Sequence, residues 1–201
     1  CLKQRKGFSL KTETKERFSF YGMIMAAVSY GYMVIGVINS TGEGMSFSTF
    51  SLWSTLAWIT TVNLRIQKID ARLVFVYALG SGATAITLLL KGKIGWSQFD
   101  TVVAILVAAC LIIWKTSGPK WALIAMVTAG LIAATPFTVM TWNHPEQSPV
   151  GANFGFFLAN LFTYLGAKEF GDKLYSGVNV VLCGALVSFW LMHVIQLAHV
   201  L

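Results

Sequence analysis

The chain has 201 residues, 56% of them hydrophobic and only 11% charged, with a formal net charge of +7 and a mean hydropathy of +0.67. Soluble domains carry about a quarter charged residues, so an ordinary soluble fold is excluded. Much of the positive charge sits in Cys1–Arg17, where Lys3, Arg5, Lys6, Lys11, Lys15 and Arg17 outweigh Glu13 and Glu16; joined to an apolar chain, it points to anionic lipid at a membrane surface rather than to nucleic acid.

Windows free of Asp, Glu, Lys and Arg open at Phe18, Gly44 and Leu73, and again at Trp121, Gln147 and Leu174. Each is roughly as long as a helix needs to cross a bilayer core, about 18 residues or more. The first helix is expected over residues 18–38, ending in the polar turn that starts at Asn39. The second covers 47–64 and closes on Arg65, Lys68, Asp70 and Arg72, and the third covers 73–90, closing on Lys91 and Lys93. The fourth is less clean: residues 101–114 span only about 21 Å, so it must begin near Trp96, placing Asp100 at a helix start near the membrane boundary. The fifth is expected over 121–142, the sixth over 150–167 and the seventh over 174–196.

The spacing of the windows, 26 and 29 residues in the first set and 26 and 27 in the second, describes a parallel internal repeat of three helices around a linker helix. Smaller features agree at an offset of 103: Glu43 matches Glu146, and Arg65 matches Lys168. The fold class expected is all-α integral membrane, seven transmembrane helices in a 3+1+3 order. Residues 1–17 form a basic cytoplasmic segment, 18–92 the first bundle, 93–118 the linker and 119–201 the second bundle. With the N-terminus inside, 13 of the 15 basic residues face the cytoplasm and only Lys91 and Lys93 lie outside. The positive-inside rule thus gives N-in, C-out in a cytoplasmic membrane. Cys1 stands where Met is expected, and the lysines after it argue against a lipid-anchored outer terminus and for a trimmed start.

No Asp, Glu, Lys or Arg falls deep in any expected helix, which argues against proton relays and ion pathways and excludes a retinal Schiff base. Neither a metal-ligand spacing nor a catalytic dyad occurs in the helices, so no enzyme activity, metal or cofactor is expected. The interior offers neutral groups instead. Helix two carries Trp53, Trp58 and a run of Ser and Thr; helix six carries Asn153 and Asn160; helix seven carries Asn179. An amide presents donor and acceptor together, and an indole can stack on an apolar ring face, a combination that favours an uncharged polar solute. Ser and Thr in such helices commonly bond their own backbone or a neighbouring helix. Pro136 lies inside helix five, where it removes a backbone hydrogen bond and can seed a hinge.

The layout resembles the PQ-loop superfamily, which includes the SWEET and SemiSWEET sugar transporters. The resemblance covers nearly all of 18–201 and is carried by Thr135-Pro-Phe-Thr-Val-Met-Thr-Trp-Asn-His-Pro-Glu-Gln-Ser-Pro149 and by Phe47-Ser-Thr-Phe-Ser-Leu-Trp53. The hallmark Pro-Gln is Pro136-Phe137 here, with Met33-Val34 at the matching offset; the paired asparagines of the family reduce to Asn179, with Val76 and Tyr77 opposite. The resemblance implies a uniporter for a small neutral polar solute such as a sugar, working by alternating access between the two bundles. The expected site residues are Trp58, Asn160 and Asn179, then Trp53 and Tyr77, with Pro136 as hinge. A homo-oligomer is compatible with this layout. The alternative class is a non-transporting membrane subunit or receptor that binds a partner protein or lipid.

Overall fold

The computed structural model describes residues 12–39, 45–117 and 119–200. Seven α-helices form the described chain: α1 Thr12–Ile38, α2 Phe47–Ile66, α3 Arg72–Leu90, α4 Gln98–Thr116, α5 Pro119–Asn143, α6 Val150–Gly166 and α7 Phe170–Val200, with a 3₁₀ turn at Pro145–Gln147. No strand occurs among the described residues. A helix satisfies its own backbone polar groups, which hydrocarbon cannot do for it. α1, α3, α4, α7 and α5 from Leu123 onward are long and apolar enough to cross a membrane by length and composition. α6, with 17 residues, is about 26 Å long. α2 has the length, but its hydroxyl residues, Asn63 and Arg65 dilute its apolarity. The chain is a multi-span helical membrane protein.

The helices begin and end close to the edges of the charge-free windows, with two instructive extensions. α1 starts at Thr12, so the end of the basic segment is helical, and Arg17 pairs with Glu13 one turn earlier at 2.6 Å. The rest of that segment, and Glu43, lie outside the described residues. α4 starts at Gln98 because Ser97 and Asp100 form a reciprocal cap. The Asp100 N–H donates to Ser97 Oγ at 3.1 Å and the Ser97 N–H to Asp100 Oδ2 at 2.8 Å. Ser48 of α2 donates its hydroxyl to the other carboxylate oxygen at 2.7 Å, so the buried Asp100 ties α4 to α2.

Packing closes six helices into a ring. α3 lies between α1 and α2, and α7 lies between α5 and α6, while α1 packs on α6 and α2 on α5. α4 stands outside, packed mainly on α5. The α1–α6 seam is the most extensive in the molecule, more so than any contact α1 makes within its own half. The packing alone therefore does not divide the ring into two triplets. Small residues permit the close seam: a Cβ at Gly22 would stand 2.7 Å from the Ala159 carbonyl oxygen, and one at Gly166 2.5 Å from the Lys15 carbonyl oxygen.

Candidate functional site

A cavity of about 100 Å³ lies inside the ring, lined by residues of α1, α2, α3, α5, α6 and α7. The wall is mainly aliphatic and aromatic. Tyr30 meets Tyr77 edge-on at 5.7 Å between ring centroids and Phe156 at 4.6 Å, and Trp53 meets Phe137 edge-on at 5.8 Å. Such interlocked edge contacts hold the rings in fixed orientations. Into this wall project the neutral polar side chains of Thr60, Ser81, Asn153 and Asn179 and the tyrosines 30, 77 and 175. No Asp, Glu, Lys or Arg is among the lining residues.

The hydrogen bonds decide which polar atoms remain for a ligand. Asn160 donates from Nδ2 to the Phe156 carbonyl at 2.8 Å, an acceptor that fixes the amide orientation. The same nitrogen donates to the Tyr77 hydroxyl oxygen, so the Tyr77 proton is left to point elsewhere. Asn160 Oδ1 is buried without a partner among the described residues, an arrangement that costs about 1–3 kcal/mol unless something fills it. Asn179 donates from Nδ2 to the Tyr175 carbonyl at 2.8 Å, one turn earlier, which leaves its Oδ1 as an acceptor beside the cavity. The site can therefore offer a donor at Tyr77 and an acceptor at Asn179 within an aromatic frame.

Of the residues expected from sequence, Trp53, Tyr77 and Asn179 meet at this cavity. Asn160 stands behind it, fully buried, and acts on it through Tyr77. Trp58 is not brought there: it is 43% exposed on the outer side of the ring, edge-on to Phe75 at 5.6 Å. Pro136 precedes the lining Phe137 within α5 and, lacking an N–H, leaves the Ile132 carbonyl without its helical donor. Sequence reasoning passed over Tyr30, Tyr175 and Phe156. Phe156 carried a usable signal, since it follows Trp53 by the same 103 residues that separate Glu43 from Glu146.

A second, charged cleft of about 360 Å³ lies at the other end of α1, between the α2–α3 and α6–α7 turns. Asp70 accepts from Arg72 Nη2 at 2.6 Å and from the Ser19 hydroxyl at 2.8 Å, and Lys168 reaches Glu16 at 2.8 Å. Partial burial works to raise the Asp70 carboxyl, but the bonds from Arg72 and Ser19 outweigh it and hold the group below its usual range. Both links join α1 to loops of the ring, so this cleft reads as a cross-brace made of matched charges. Compared with known proteins, the chain matches no family model and no curated relative.

Proposed function

We propose that the protein is a transporter of a small neutral polar solute, a uniporter working by alternating access between a first bundle (α1–α3) and a second (α5–α7), with α4 as linker. One observation carries it: a central cavity to which both halves contribute walls, offering neutral donors and acceptors and no Asp, Glu, Lys, Arg or His among its lining residues. Coupling to a proton or metal ion calls for a charged or titrating group in the path, and the lining provides uncharged amides and hydroxyls instead. Supporting it are the repeat of window lengths and the order of packing, in which the third helix of each set lies between the other two. The PQ-loop type of fold is the family reading that accommodates these features. In that reading Trp53, Tyr77 and Asn179 contact solute, Asn160 positions Tyr77, and Pro136 lets α5 bend.

The test is uptake by counterflow in proteoliposomes over a panel of sugars and other neutral metabolites, with and without a pH gradient. Saturable uptake that ignores the gradient and is lost in Asn179→Ala supports the proposal. Uptake that depends on the gradient contradicts it, and absence of flux from folded protein moves the assignment to a non-transporting subunit.

A further inference from the structure

The wall of the central cavity is thinnest along α5, at its seams with α2 and with α7. α4 backs the α2 seam through Val103 and Val107 against Leu56 and Met126, which leaves the α7 seam as the uncovered one. α5 and α7 make a much less extensive seam than α1 with α6 or α6 with α7. Val127, Gly130 and Leu131 line the cavity from α5, and Val178 and Leu182 line it from α7. Leu131 both lines the cavity and is 42% exposed, so the wall is thin or open at this side chain. Behind it, a Cβ at Gly130 would meet no atom within 4 Å, so open space begins at the α5 backbone. α5 is an apolar membrane-spanning helix from Leu123 to Asn143, and Leu131 falls near its middle. What lies outside this thin wall is therefore hydrocarbon.

We propose that the cavity is entered sideways from the bilayer, through a doorway between α5 and α7 gated by Leu131, and that its occupant is a neutral amphiphile. This rests on the cavity being the ligand site and narrows the solute class from any neutral polar molecule to one that dissolves in the membrane. The doorway side is aliphatic, at Val127, Leu131, Val178 and Leu182, and suits a short apolar chain. The same cavity holds the uncommitted Tyr77 proton from α3 and Asn179 Oδ1 from α7, which suit a hydroxyl or ester head. A fully polar solute would have to leave water for hydrocarbon to use this door, which carries a large desolvation cost.

Cys183 lines the same cavity as a free, buried thiol and serves as the reporter. The experiment uses the full chain in lipid vesicles with Cys1→Ser and Cys110→Ala, leaving Cys183 as the single thiol of the original three. Its modification is followed with two thiosulfonates, one neutral and membrane-soluble (benzyl), one anionic and confined to water (sulfonatoethyl). The doorway predicts that the benzyl reagent reacts many times faster, that Leu131→Trp slows it and that Leu131→Ala speeds it. The pair of opposite changes keeps the test decisive if the Trp variant folds poorly. Added monooctanoylglycerol should protect Cys183, and glucose should not. Equal rates for both reagents, or rates indifferent to residue 131, overturn the doorway; protection by glucose alone overturns the amphiphile while leaving the cavity as the site. Protection by neither compound overturns this inference and the ligand site beneath it together.

Discussion

Asn160, Tyr77 and Asn179 show how a few neutral groups can define a site when each atom is accounted for. Asn160 commits Nδ2 to Phe156 and Tyr77, Asn179 commits Nδ2 to Tyr175, and the Tyr77 proton and two amide oxygens, the buried Asn160 Oδ1 and the Asn179 Oδ1 at the cavity, are left over. Tyr77→Phe should weaken saturable uptake by removing the donor while preserving the ring contacts, whereas Trp58→Phe should leave uptake unchanged because Trp58 lies outside the cavity. Transport kinetics of the two variants side by side make the comparison. Asp70 gives a pH dependence whose sign is fixed: its carboxyl is held below the ordinary value, so its contribution to stability is present above the unfolded-state pKa of about 3.9 and fades as pH falls through the lower folded value. Melting temperatures of wild type and Asp70→Asn should therefore differ at neutral pH and converge in strong acid. The sequence disclosed Trp53 and Asn179 as candidates but ranked Trp58 ahead of Trp53, whereas Trp53 is the indole that lines the cavity. Both lie on one helix, and lipid is as apolar as a protein core, so hydrophobicity does not say which indole turns inward.

At the scale of the element, helix extents were legible and helix partners were not. Charge-free windows mark spans because a charge is costly in hydrocarbon, and they located α2, α3, α5 and α6 to within a few residues. α1 and α7 run past their windows because helices continue through charged surface residues once solvated. The start of α4 depended on a cap that the sequence displays as Ser97 and Asp100, three apart, but its tie to Ser48 crosses 52 residues and becomes visible only in the fold. Asp100→Ala removes the cap and one partner of the buried Ser48 hydroxyl, and should cost about 1–3 kcal/mol in denaturant unfolding from detergent. The α1–α6 seam is equally specific. Gly22→Val would place methyl groups against the Ala159 carbonyl and Thr163, so it should lower stability by about 1–3 kcal/mol, the usual scale of overpacking, and the same unfolding measurement reads it.

Across the whole molecule, six helices enclose one small neutral cavity, one seam is knitted by small residues, and α4 is set to the side. The halves of the sequence announced a repeat, while the closure of the ring, which brings Tyr30 of α1 to Phe156 of α6, depends on contacts more than a hundred residues apart. Orientation has its own check: with the N-terminus inside, Lys93→Cys should react with an impermeant thiol reagent added outside intact cells, and Lys115→Cys should react only after permeabilisation. The central claim is that solute passes through the cavity, and two glycines test it most directly. Gly130 lines the cavity, whereas Gly31 lies on the exposed face of α1, and both have open space around a new Cβ. Counterflow in proteoliposomes should be abolished in Gly130→Phe and retained in Gly31→Phe, at equal amounts of folded protein. Transport that survives in Gly130→Phe at the wild-type rate would contradict the account.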